Sequence, residues 1–209
     1  MPVAINGTSG VITGVATGGL PDGIVDTDML ASGAVATAKI ADDAISSAKL
    51  ATGAGGKILQ VVQATKTDTF SESVGQGAES SQPFTASITP SSSSNKVLIR
   101  VVANGALSTT HGWGATLKKG SDDLFVGDAD SNRHRITTGS SGQNTTSLRP
   151  LVMEYLDSPS TTSSVTYGFT MSHAENGTLT VYLNRPDYDT DATYILRSAS
   201  SITLMEVAG

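Results

Sequence analysis

Three histidines, His111, His134 and His173, are the first candidates for metal or proton chemistry. They stand 23 and 39 residues apart, with no second nitrogen or thiolate at helical or hairpin spacing, so no zinc motif forms around them. Asp187-Tyr-Asp-Thr-Asp191 places three carboxylates within five residues but lacks the glycine and the closing glutamate of a calcium loop. It reads as a solvated turn. Gly53-Ala-Gly-Gly-Lys57 imitates the end of a phosphate-binding loop, yet Ala51 stands where the first glycine belongs and Ile58 replaces the hydroxyl residue that would reach magnesium. Serine is abundant without a Gly-x-Ser-x-Gly elbow. Glycan cleavage needs two carboxylates held about 5–9 Å apart, and Asp122, Asp123, Asp128, Asp130, Glu154 and Glu175 give no preferred pair. The expectation is a protein without a catalytic site, metal or cofactor.

What remains is recognition. The single tryptophan, Trp113, lies in His111-Gly-Trp-Gly114, where flanking glycines would leave an aromatic face open to a sugar ring or an apolar patch. The same residue would equally open a strand and pack in a core. Loops at the ends of β-sandwiches do most of their binding, so His111, Trp113, Asp187, Tyr188 and Asp189 are the candidate binding contacts.

These residues have to be positioned by strands. From Lys57 onward the chain runs through short β-rich segments: Phe84–Ile88, Lys96–Val102, Gly114–Lys118, Asp123–Val126, Arg133–Thr137, Leu148–Leu156, Ser164–Met171, Gly177–Leu183, Thr193–Arg197 and Ser201–Val207. Polar turn clusters such as Pro90–Asn95 and Gly139–Gly142 separate them, and none resembles a crossover helix. This pattern predicts an antiparallel β-sandwich of jelly-roll-like kind over residues 57–209. Asn176-Gly177 is the clearest hairpin signal, of type I′.

The first quarter of the chain follows another rule. From Val15 a bulky apolar residue recurs at every fifth position: Val15, Leu20, Val25, Leu30, Val35, Ile40, Ile45 and Leu50. Alignment of Gly23–Ser32, Gly33–Asp42 and Asp43–Thr52 gives a ten-residue unit. A step of five suits neither one face of a helix nor one face of a strand. A decad with two bulky apolar side chains cannot close a core alone, because ordering each residue costs about 1–2 kcal/mol of backbone entropy. Identical chains wound about an axis would bury the same positions at every level, which predicts a homotrimeric shaft. The division expected is an N-terminal attachment segment at 1–22, a repeat shaft at 23–52, a glycine-rich joint at 53–56 and the sandwich at 57–209.

Bulk properties agree with an assembly protein. Thirteen basic against nineteen acidic residues give a net charge of −6, with no basic cluster to hold nucleic acid. No cysteine supplies a disulfide staple. Neither a signal peptide nor an apolar run of the roughly 20 residues needed to span a bilayer is expected.

Ala4-Ile-Asn-Gly-Thr-Ser-Gly-Val-Ile-Thr-Gly14, Gly18-Gly-Leu-Pro-Asp-Gly23, the Ala34–Asp42 repeat unit and Gly55-Gly-Lys-Ile-Leu-Gln-Val-Val62 resemble tail-fibre and related appendage proteins of tailed bacteriophages, especially those of marine and cyanobacterial hosts. The closing segment Ser201–Ala208 is similar as well. The resemblance implies a homotrimeric virion component, its N-terminus docked on other virion proteins and its C-terminal tip facing a host glycan or protein. Tail, collar and head fibres share such features. A receptor-binding tail fibre is therefore the first expectation, a decorative capsid or collar fibre the second, and a glycan depolymerase the third.

Overall fold

The computed structural model describes residues 56–142 and 144–209, with isolated positions between Ser32 and Lys49. The chain divides at Gly55/Gly56, and the second unit is the one described below. Of the shaft positions, Val15, Leu20, Val25, Leu30 and Leu50 lie outside the described residues. Val35, Ile40 and Ile45 are 54%, 39% and 49% exposed.

Eleven strands make up the second unit: β1 Ile58–Lys66, β2 Phe70–Gly75, β3 Thr85–Ile88, β4 Lys96–Leu107, β5 Gly114–Lys119, β6 Asp122–Leu124, β7 Thr138–Gly139, β8 Arg149–Asp157, β9 Val165–Ser172, β10 Thr178–Leu183 and β11 Ser200–Val207. All pairings are antiparallel. One sheet joins β1, β11, β4, β10 and β2 with β8 on the far edge of β4, and the other joins β3, β9, β5 and β6 with β7 beside β5. Their inner faces share one core, in which Val97, Ile99 and Val101 of β4 meet Leu117 of β5 and Phe169 and Met171 of β9. The period-two burial along β4, β8 and β11 follows from the pleat, since one face of each strand must find apolar cover. The expected two-layer antiparallel sandwich is the observed fold.

Four local expectations need correction. Phe70–Gly75 is a strand that its composition hides, because the inward position between Phe70 and Val74 is Glu72, which accepts bonds from Ser81 instead of packing. Arg133–Thr137 is loop, and the short β7 begins only at Thr138. Thr193–Arg197 is a turn-rich stretch, with Ile195 N–H donating to the Ala192 carbonyl, and it joins no sheet. Asn176-Gly177 does not close a hairpin, because β9 and β10 belong to different sheets. Only Gly177 there has positive φ, at 85°, whereas a type I′ turn requires it at both central residues.

The pairing of β4 reveals an unusual feature. Paired residue numbers add to 288 across β10 and β4 and to 303 across β11 and β4, so β10 and β11 follow one track along β4 with fifteen residues, 185–199, inserted between them. Asn184 and Ser200 hold the two ends of this excursion together. Asn184 is fully buried in the left-handed region at φ 63°, which asparagine tolerates better than most side chains. Its amide donates to the carbonyls of Lys66 at 2.8 Å and Asp68 at 2.9 Å, and its carbonyl oxygen accepts from the Ser200 hydroxyl at 2.7 Å.

Candidate functional site

Strand direction gives the sandwich two unlike ends. The chain comes in at β1, beside the start of β4 and the finish of β11, through the cross-strand row Ile58, Val207 and Lys96. At the other end of β4 lie the 108–113 loop, the 173–177 loop, the segment leading into β8 and the 185–199 excursion. Tyr188 N–H donates to the Thr145 carbonyl at 3.0 Å, which ties two of these loops together.

The excursion carries the most exposed aromatic and aliphatic groups at this end. Tyr188, Tyr194 and Leu196 are 49%, 67% and 62% exposed. Their backbone is braced: the Asp189 carboxylate takes Arg197 at 2.7 Å and Arg185 at 3.5 Å, and the Arg185 guanidinium lies 4.5 Å from the centre of the Tyr182 ring. Burial, reinforced by the Asp187 carboxylate, raises the Tyr182 hydroxyl above its ordinary range. A small cleft of about 250 Å³ opens between Asp189, Asp191, Ala192, Ile195 and Arg197. Braced aromatic and aliphatic groups lose little conformational entropy on contact, which is the property of an adhesive surface.

Of the sequence-derived candidates, Tyr188 and His111 face solvent and Asp187 and Asp189 are half-buried. The two aspartates act within the loop, Asp189 as the anchor of two arginines and Asp187 beside Tyr182. His111 Nε2 lies 3.8 Å from Glu175, and its Nδ1 lies 3.1 Å from the Thr109 hydroxyl. Trp113 is only 1% exposed, so the reading of its ring as an open sugar platform is wrong. The ring sits over Gly105, where an added Cβ would come within 2.7 Å of it, and the flanking Gly112 is required because a Cβ there would collide with the Ser140 carbonyl at 1.7 Å. The glycines bury the tryptophan instead of exposing it.

A second opening, about 990 Å³ in volume, runs beside Trp113, His134, Arg135, Asp123 and Glu79. At its wall the Lys118 amine reaches Glu79 at 2.5 Å and also contacts Asp123. Burial alone would depress this amine, but the two carboxylates outweigh it and hold it above its ordinary value. It is thus a structural cation and no proton acceptor at neutral pH. His134 Nε2 pairs with the Ser172 hydroxyl at 2.9 Å. His173, the first residue of the loop after β9, is 2% exposed and bonds the Val74 carbonyl through Nε2 at 2.9 Å. Among the described residues no three His, Asp or Glu side chains are grouped to hold a metal ion.

The excursion itself was missed by sequence reasoning, although Asn184 and Ser200 were its signal: small polar residues able to bond locally, at both ends of a loop with three aspartates.

Neither a family model nor a curated protein matches the sequence. Among solved structures, the chain is similar to one titled as the structure of infectious bursal disease virus, Gt strain, with 14% identity and a TM-score of 0.35. The match covers 71% of this chain and 38% of the viral one.

Proposed function

We propose that this chain is a non-enzymatic structural component of a tailed-phage virion, an external fibre whose N-terminal repeat joins three copies and whose jelly-roll-like sandwich contacts the host cell surface. Segment 1–22 would dock on other virion proteins, and neither nucleic acid nor membrane insertion has a part in this reading. The observation that supports it is the polarity of the sandwich. Its chain-inlet end carries the 89–95 and 158–164 loops, while its opposite end presents a fifteen-residue excursion clamped by Asn184 and Ser200 and displaying Tyr188, Tyr194 and Leu196. Inserting that many residues into one strand track costs ordering entropy, and the clamp and arginine bridges offset it only in part. Such a loop is expected where contact is its purpose.

The test uses the labelled full-length protein on a panel of unicellular cyanobacteria and other marine bacteria, beside the double variant Tyr194→Ser, Leu196→Ser. Saturable binding that weakens by about 10-fold or more in the variant supports a receptor-binding tail fibre whose contact lies on the excursion. Equal binding by both proteins moves the contact elsewhere. No binding across the panel favours the decorative capsid or collar fibre.

A further inference from the structure

Four strands of the larger sheet, in the order β1, β11, β4 and β8, turn a face away from the core that no other part of the described unit covers. Register makes this face readable row by row. The first row is Ile58, Val207 and Lys96. The second is wholly apolar: Val61, Met205, Leu98 and Leu156 are direct cross-strand neighbours. The third is polar, Gln63, Thr203, Arg100 and Glu154, and the fourth returns to Val102 and Val152 after Thr65 and Ser201. Val61 and Leu156 are 58% and 43% exposed. A sheet with one solvated face ordinarily alternates apolar inward with polar outward. Here Ile58, Val207, Val61, Met205, Leu98 and Leu156 form an apolar patch on the outward face beside the chain inlet, interrupted by the polar third row.

From this geometry we infer that the outer face of β1, β11, β4 and β8 is an interface with a second copy of the same chain. The inference rests on the reading of the protein as a self-associating fibre and adds that the sandwich contributes its own contact. Three observations favour a copy over another occupant. The face begins at Ile58, two residues after Gly56, through which the chain continues into its apolar repeat. If the repeats associate, every copy's β1 is tethered near the others, and the effective concentration of one face for the next is raised. Second, Arg100 lies directly across from Glu154 on the face, so its charged row offers both signs and suits another copy of itself. Third, four strands at about 4.8 Å and nine residues at about 3.3 Å give a face of roughly 570 Å² in projection. That is of the order of the roughly 800 Å² that each partner covers in a standard specific interface.

The absence of cysteine makes the test direct. Val61→Cys in the full-length chain places one thiol in the apolar row, and Thr193→Cys, on the exposed excursion, is the control. Both proteins are sized by light scattering and then labelled with a maleimide under native conditions. The expected result is an oligomer in which Cys at position 61 reacts on the order of 10-fold or more slowly than Cys at 193, with the difference abolished in denaturant. An oligomer in which both thiols react alike overturns this interface while leaving shaft-driven association intact. A monomer overturns both. Protection of position 61 within a monomer assigns the cover to the chain's own N-terminal segment, which also overturns the inference.

Discussion

Glu206 is an acidic side chain in an apolar row, and its replacement gives a measurable test of how the sandwich closes. It follows Ile202 and Leu204 on the inward face of β11 and is 1% exposed. One carboxylate oxygen accepts Ser91 N–H at 2.6 Å, the Ser91 hydroxyl at 2.7 Å and the Asn95 amide at 2.6 Å, and the other accepts Gln60 at 2.6 Å. Burial by itself would raise this carboxyl, but the bonds from Asn95, Ser91 and Gln60 outweigh it and lower it from 4.5 to about 2. A depressed carboxyl stabilises the fold fully above its unfolded value and loses that contribution as pH falls through the folded one. The window is therefore about pH 4.5 down to pH 2. The difference corresponds to about 3 kcal/mol at neutral pH and about 1 kcal/mol at pH 3. In Glu206→Gln the amide oxygen can keep the three bonds at the first site, but the Gln60 bond goes with the charge, because Gln60 Nε2 also donates to the Thr89 carbonyl at 2.7 Å and cannot turn to accept without giving that up. For a domain of this size the wild type should melt about 6–12 °C above the variant at pH 7. Thermal unfolding of both full-length proteins by circular dichroism at pH 7 and pH 3 measures the gap. A gap of equal size at the two pH values, or one below about 2 °C at pH 7, refutes the argument.

Other substitutions probe the core, the buried ion network and the shaft. Gly105→Ala should destabilise by about 1–3 kcal/mol, read by urea denaturation, because its Cβ would lie 2.7 Å from the Trp113 ring and 2.8 Å from the Tyr182 carbonyl. Tyr167→Phe should cost about 1–2 kcal/mol in the same assay, since the Tyr167 hydroxyl donates to Asp157 at 2.6 Å in the core and Lys119, at 2.8 Å, is then left as the partner of that carboxylate. Replacing Val35, Ile40 and Ile45 together by Asp should dissolve the oligomer by light scattering, whereas Thr37→Asp with Ser47→Asp should not, because only the first set puts unpaired charge on a shared axis.

Sequence reading found the strands in which apolar residues recur at the pleat spacing. Leu148–Leu156 falls on β8 to within one residue and Lys96–Val102 on the first part of β4, which runs on to Leu107, because Val97, Ile99 and Val101 and then Leu151 and Met153 repeat at the pleat spacing. β2 was illegible for the opposite reason, with Glu72 on its inward face as the acceptor for a loop. The closing strand was found, but its alternation looked imperfect. Glu206 points inward to hold the 91–95 turn, and Met205 points outward into an apolar row. Both departures place a residue according to a partner many positions away, and a local pattern carries no record of that partner.

The candidate contact surface was legible in composition but not in topology. Asp187, Tyr188 and Asp189 were singled out as loop residues, and they do lie on a loop. What no window of sequence could state is that this loop interrupts one continuous strand track, because the track exists only in the register of β10 and β11 against β4. The same register explains why Tyr194-Ile-Leu196 failed as a strand despite its β-forming residues: β4 has already given its hydrogen-bonding edge to the segments on either side, and the inserted residues have no partner left there. Excluded from the sheet, their side chains divide between bracing the loop and facing solvent. Arg185, Asp189 and Arg197 do the first, Tyr194 and Leu196 the second. That division of labour is the physical ground for testing contact at Tyr194 and Leu196 ahead of the buried Trp113. The bracing residues can be changed to ask whether the loop must be held, and the displayed pair can be changed without touching the fold.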